Sequence, residues 1–308
     1  MIVVPDDFPS VFEGSAAHDR ARALGEVRVH TERGAEDEAE LARRIGNATF
    51  AVNIRAYARF TEAVLRACPG LKLISIWGTG TDNIDLAAAA RHGATVCNTP
   101  GINAYAVAEH TLALMLAVAR RIPGIDREMR SGSWPRDLLV QLSGRTLAVF
   151  GSGAIGARVA QLARAFGMEV LTWSARAGTP AAKDDCLRRA DFVTLHLRLV
   201  PETRGFIGRR ELALMKPGAC LVNTARGALV DRDALIEALA SRRIAGAGLD
   251  VFHEEPVKPG DPLLSSPYTV LSPHNAGQTP EVRRDGLLAA IENVEKFLSG
   301  APVNVVRA

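Results

Sequence analysis

The run Leu147-Ala-Val-Phe-Gly151-Ser152-Gly153-Ala154-Ile155-Gly156-Ala157-Arg-Val-Ala-Gln-Leu-Ala-Arg-Ala-Phe166 decides the fold. An apolar run fits a buried strand, glycines follow in a G-x-G-x-x-G spacing, and an Ala-rich helical stretch begins at once. A strand that turns tightly into a helix brings the unpaired N–H groups of the helix N-terminus against an anion. A plain structural turn is the alternative, but strand and helix flank these glycines in the order that a pyrophosphate cradle requires. Gly151, Gly153 and Gly156 are therefore candidate dinucleotide-binding residues.

Downstream of this turn, apolar runs at residues 169–174, 190–197, 219–224, 245–251 and 268–272 alternate with helical stretches. Upstream, residues 2–4, 27–30, 50–55, 71–77 and 94–97 do the same. Near-continuous apolar strands separated by helices predict parallel sheets covered on both faces. The expected fold is α/β, with two doubly wound parallel-sheet domains. Between them, Asn98-Thr99-Pro100-Gly101 is a turn signal, followed by a helix over about residues 104–121 that Pro123-Gly124 breaks. Residues 279–299 again have helical periodicity, with Leu287, Leu288, Ile291, Val294 and Leu298 on one side.

Composition agrees with this organisation. A chain of 308 residues suggests about two domains at roughly 150 residues each. With 47% apolar and 23% charged residues it is neither collagenous, low-complexity nor coiled coil. The net charge is only +3, and no basic run interleaved with aromatics is present, so no nucleic-acid partner is expected. The apolar stretch at residues 111–119 is too short for a bilayer span of about 20 residues. Met1-Ile-Val-Val leads into Pro5-Asp6-Asp7, the reverse of a secretion signal, so a cytoplasmic setting is expected. Cys68, Cys97, Cys186 and Cys220 lack any zinc or dithiol spacing and read as reduced, buried thiols, with no metal site.

An acidic residue that binds the adenosine ribose is ordinarily found about 20 residues beyond the glycine turn. Ser174 stands there, followed by Arg176. A hydroxyl and a cation suit a 2′-phosphate that a carboxylate would repel, so NADP is favoured over NAD. Three further polar residues follow the ends of later strands, where ligands collect in open α/β sheets. They are Arg226 in Asn223-Thr-Ala-Arg-Gly227, Glu255 in Asp250-Val-Phe-His-Glu-Glu-Pro256, and His274 in Ser272-Pro-His-Asn-Ala-Gly277. Singly, each reads more often as a solvated turn or capped loop residue than as a functional one. Together they supply what reduction of a 2-oxo acid needs: a cation for the carbonyl oxygen, and a proton donor with a carboxylate beside it.

These segments, with Gly78-Thr-Gly-Thr-Asp-Asn-Ile-Asp85, Asn98-Thr-Pro-Gly-Ile-Asn103, Val107-Ala-Glu-His110, Met215-Lys-Pro-Gly218 and Leu221-Val-Asn-Thr-Ala-Arg-Gly227, resemble the D-isomer-specific 2-hydroxyacid dehydrogenases over essentially the whole chain. That family includes glyoxylate/hydroxypyruvate reductases and phosphoglycerate dehydrogenases. The resemblance implies that His274 is the general acid/base, Glu255 its paired carboxylate and Arg226 the residue that binds substrate and polarises its carbonyl. It further implies that Asp250 orients the nicotinamide carboxamide. Ala154, Ile155, Thr224, Ala225, Ala276 and Gly277 would line the cofactor, and the amides of Thr79 and Gly80 would hold the substrate carboxylate.

The implied architecture is a discontinuous flavodoxin-like substrate domain, residues 1–98 plus 282–308, and a Rossmann dinucleotide-binding domain, residues 99–281. A cleft between them would hold the site, with hinges near Thr99 and Thr279. The helix over residues 104–121 and the arm through Trp134 imply a homodimer. Two departures stand out: Ser174, where NAD-using members carry an acid, and Asn275-Ala276, where Ile-Gly is commoner.

Arg55, at the end of the third strand, is placed like a phosphate-contacting arginine of phosphoglycerate dehydrogenases, and equally like a rim arginine paired to a neighbour. The leading expectation is an NAD(P)-dependent reductase of small 2-oxo acids that forms D-2-hydroxy acids. The alternatives are 3-phosphoglycerate oxidation and a dinucleotide-sensing protein that has the fold without turnover.

Overall fold

The computed structural model describes residues 1–307. The chain forms two compact units, one made of Met1–Asn103 with Gln278–Ala308, the other of Ala104–Gly277. The turn at residues 98–101 stays with the first unit. Asn98 donates to the carbonyl of Thr79 and accepts from Asn293, while Gly78 N–H donates to Thr99 Oγ1.

The first unit begins β1 (Ile2–Val4), α1 (Ala16–Arg22), β2 (Val27–Val29), α2 (Glu38–Ile45), β3 (Phe50–Asn53), α3 (Glu62–Ala67), β4 (Leu73–Ile76), α4 (Leu86–Arg91) and β5 (Thr95–Cys97). Its five strands are parallel in the order β2-β1-β3-β4-β5. Ser15, Asp37, Thr61 and Asp85 cap the four helices with side-chain oxygens, satisfying N–H groups that a helix start leaves open.

The second unit comprises α5 (Ala104–Ala119), α6 (Ile122–Arg130), β6 (Thr146–Phe150), α7 (Ala154–Ala165), β7 (Glu169–Trp173), α8 (Pro180–Arg189), β8 (Phe192–Leu195), α9 (Arg209–Leu214), β9 (Cys220–Asn223), α10 (Arg232–Ala240), β10 (Gly246–Leu249), α11 (Pro262–Ser265) and β11 (Thr269–Leu271). The last helix, α12 (Pro280–Leu298), belongs to the first unit and packs on β3 and β4. The six strands are parallel in the order β11-β10-β9-β8-β6-β7. Chain direction across the sheet reverses beside β6, the switch point where such sheets bind ligands.

Apolar clusters cover both faces of this sheet, which explains why its strands read as unbroken apolar runs. One face is covered by α5, and β10 makes that possible. A Cβ at Gly248 would lie 3.0 Å from Leu114 Cβ, and one at Gly246 3.0 Å from Val118 Cγ1, so the helix rests directly on the backbone of these two glycines.

Two expectations are corrected. Pro123-Gly124 does not merely end the preceding helix: Arg121 takes a left-handed conformation and Pro123 sits in the first turn of a new helix, α6, where its missing N–H costs nothing. The strand ladders also stop one or two residues before several apolar runs end. At those C-terminal positions the chain leaves the sheet to form the loops of the site.

Candidate active site

Asn223, the last residue of β9, folds the next three residues into a tight loop. Its Oδ1 accepts from Ala225 N–H and its Nδ2 donates to the carbonyl of Arg226. Arg226 Nη1 donates to the carbonyl of Ala225 at 2.8 Å. Gly227 has no room for a Cβ, which would lie 2.1 Å from the carbonyl carbon of Phe252. The loop after β9 thus lies against the loop after β10.

In that second loop, Phe252 N–H donates to Glu255 Oε1 at 2.9 Å, which turns the other oxygen, Oε2, to His274 Nδ1 at 2.7 Å. His274 has φ +52°, a strained conformation for a non-glycine residue. Asp250 holds it there. The backbone carbonyl of Asp250 accepts from His274 N–H at 2.7 Å, and its carboxylate accepts from the N–H groups of Asn275 and Ala276, each at 3.0 Å. His274 Nε2 makes no hydrogen bond among the described residues, and its side chain is 40% exposed. With Nδ1 engaged by a carboxylate, Nε2 is the nitrogen that can exchange a proton with a ligand.

Burial alone would raise the pKa of Glu255. The hydrogen bond and charge of His274, the amide of Phe252 and the guanidinium of Arg226 outweigh it and hold the carboxyl below the usual range. Glu255 is therefore anionic at neutral pH, and as the acceptor for Nδ1 it fixes the orientation of the ring. Glu255→Gln keeps an oxygen for Nδ1 but removes the charge. kcat/KM is expected to fall about tenfold or more, and an unchanged value would show that the charge of this carboxylate plays no part.

Of the other sequence candidates, Thr224 is buried and its Oγ1 lies 2.9 Å from Thr111 Oγ1. Asp250 is fully buried, with Ser272, Asn275 and Ala276 donating to its oxygens. Arg55, Thr79 and Gly80 lie in the first unit. Arg55 Nη2 donates to the carbonyl of Pro9, so its guanidinium is partly committed to the chain. The N–H groups of Thr79 and Gly80 have no acceptor among the described residues, while the loop is fixed through Gly78 and the Thr79 carbonyl.

The glycine turn fits a dinucleotide. Gly151 has φ +114°, and a Cβ there would lie 2.4 Å from the carbonyl oxygen of His196. At Gly156 a Cβ would come within 1.9 Å of the Gly151 carbonyl oxygen, so α7 starts tight against the strand. No side chain caps α7 at Gly153, and open space surrounds that residue. Its first N–H groups are left for a phosphate. Beside this turn, Phe150 pairs with Trp173, the residue before Ser174. The Ser174 hydroxyl and the Arg176 guanidinium make no hydrogen bond or ion pair among the described residues. Groups of three or more potential metal ligands are absent among the described residues, and no helix is long and apolar enough to cross a membrane.

Sequence reading missed His110. It reaches the same loop ends from α5, with Nε2 2.8 Å from Ser272 Oγ. The segment Val107-Ala-Glu-His110 marked a position in the chain, but not this contact across 162 residues.

Comparison with known proteins gives the family. The profile of the D-isomer specific 2-hydroxyacid dehydrogenase NAD binding domain matches residues 112–276. The chain is similar to the glyoxylate reductase of Aeropyrum pernix, at 42% identity over 262 residues, covering 79% of this chain and 78% of that protein. It is also similar to the D-3-phosphoglycerate dehydrogenase of Methanocaldococcus jannaschii, at 39% identity over 289 residues; 90% of this chain is covered, but it spans only 54% of that protein. Among solved structures, an acyclic imino acid reductase in complex with NADPH and D-Arg matches with a TM-score of 0.91 and 29% identity, covering 99% of each chain. Since the profile takes in the glycine turn together with Arg226, Glu255 and His274, the chain belongs to the D-isomer-specific 2-hydroxyacid dehydrogenase family and is a nicotinamide-dependent oxidoreductase.

Proposed function

We propose that the protein reduces small 2-oxo acids, glyoxylate and hydroxypyruvate foremost, to D-2-hydroxy acids, with NADPH as the preferred reductant. The observation that carries this reading is the Glu255–His274 pair, 2.7 Å apart, with Nε2 unengaged and Arg226 close enough to act on the Glu255 charge. The reduced nicotinamide supplies the hydride equivalent for the 2-carbon. Arg226 then stabilises negative charge on the carbonyl oxygen, and His274 Nε2–H delivers the proton that makes the hydroxyl. Glu255, engaged with Nδ1, keeps the imidazole oriented so that Nε2 is the nitrogen that gives up the proton. The open amides of Thr79 and Gly80 are the proposed anchors for the substrate carboxylate.

A phosphorylated substrate is the second reading: Arg55 Nη2 serves the Pro9 carbonyl, while its Nε is buried with no partner among the described residues. The sensor reading is disfavoured because the acid, its carboxylate and the arginine are assembled in one unit. Dimer formation with a second copy is part of this proposal. Ile122, Met129, Trp134, Leu138 and Val140 leave a run of apolar side chains exposed on the arm, and a monomeric mass in solution would remove that part.

The test is a panel of oxo acids run with both cofactors. NADPH oxidation with glyoxylate or hydroxypyruvate is expected, and binding without turnover across the panel would favour the sensor. Ser174→Asp should lower kcat/KM for NADPH by about tenfold or more while sparing NADH, since a carboxylate there repels a 2′-phosphate. Unchanged discrimination would show that residue 174 does not read the phosphate.

A further inference from the structure

The loop that carries His274 is held from a side that takes no part in the chemistry described above. Ser272 has one hydroxyl proton, and it lies 2.6 Å from Asp250 Oδ1, a buried carboxylate that can only accept. The 2.8 Å contact between Ser272 Oγ and His110 Nε2 must then be an N–H of the imidazole donating to the serine. Direction is fixed along the whole chain: His110 donates to Ser272, Ser272 to Asp250, and Asp250 accepts from the amides that follow His274. His110 Nε2 is itself 3.6 Å from Asp250 Oδ1, so it lowers the cost of keeping a charge in a site with no exposure.

Helix α5 is placed to do this. It rests on β10 at Gly246 and Gly248, and its residues 110 and 111 reach the ends of three neighbouring strands. Thr111 gives its proton to the Val107 carbonyl, so Thr224, at the end of β9, is the donor in their 2.9 Å contact. His110 does the corresponding work for β10 and β11. The loops leaving β9, β10 and β11 carry Arg226, Glu255 and His274.

We propose that His110 is a positioning residue for the reaction, acting through Ser272 and Asp250 to hold the strained backbone that presents His274. This rests on His274 being the proton donor. The reacting atoms are not touched, so the expected signature is a loss in kcat with substrate binding spared. In the full-length enzyme, His110→Ala should lower kcat about 10- to 100-fold, the range found when an outer partner of an active-site residue is removed. KM for the oxo acid and the dissociation constant of NADPH should stay within about twofold of wild type. His110→Gln can still present an N–H to Ser272 and should recover most of the loss. Ser272→Ala should cost as much, and the double variant no more, because both changes break one path.

A second readout does not depend on turnover. Hydrogen exchange at the Asn275 and Ala276 amides should accelerate at least tenfold in His110→Ala, with helix α7 unaffected. Faster exchange with unchanged kcat would mean that the loop is held as described but His274 is not the donor, so the functional reading fails and the brace survives. Unchanged exchange overturns the proposal, as do losses that add in the double variant or a loss that His110→Gln does not repair.

Discussion

His274→Ala is expected to reduce kcat for oxo-acid reduction by about 10³-fold or more, at the upper end of what a positioned general acid contributes. The size follows from the local inventory. Glu255 faces the imidazole as an acceptor, and Arg226 holds its protons too tightly to release one, so no neighbour can replace the lost N–H. NADPH binding should persist, because the glycine turn and the start of α7 depend on nothing in the His274 loop. The decisive measurement is single-turnover reduction beside a fluorescence titration with NADPH. A variant that bound the cofactor and still turned over at a tenth of the normal rate would assign the proton to another donor.

Arg226→Lys is the second large effect. Asn223 and the close approach at Gly227 shape its loop without the guanidinium, which adds one hydrogen bond to the Ala225 carbonyl, so most of what holds the loop should persist. Lysine keeps the charge but loses the planar fork that can hold two oxygens at once. A fall of about 10²- to 10³-fold in kcat/KM is expected, the range found when one donor to a developing oxyanion is removed. KM should rise as well, since the same side chain is the one proposed to hold the substrate before reaction. If Arg226→Lys retained full kcat/KM, charge alone would suffice and the bidentate role would be wrong.

The parts of this molecule that were legible in the sequence share a property: their signal is local. Gly151, Gly153 and Gly156 declare a turn because strand and helix lie on either side of them, and the apolar runs declare buried strands because both faces of a parallel sheet need covering. Arg226, Glu255 and His274 were locatable because each follows a strand by a few residues. What escaped depends on partners far along the chain. Nothing near His110 indicates that α5 sinks onto the bare glycines of β10 and brings the imidazole to Ser272. Arg55 read equally as a ligand residue and as an arginine paired to a neighbour, and its partner Pro9 is distant in sequence. Pro123 read as a stop because the same residue that ends one helix also starts another, and which it does depends on the left-handed Arg121 before it.

The first unit is assembled from two stretches separated by the whole of the second. Leu287, Ala290, Ile291 and Val294 of α12 complete a cluster with Ile2, Val4, Val52 and Leu73, and Val305 bridges to Cys97. A nascent chain leaves the ribosome N-terminus first, so β1 to β5 emerge early with one face of their sheet covered only in part, by Phe12 and by Ala17 and Ala21 of α1. Residues 104–277, by contrast, are contiguous and can close their own core before α12 has been translated. The nucleotide-binding half is thus expected to mature first during synthesis, while the N-terminal strands keep part of their apolar face open until the last helix arrives.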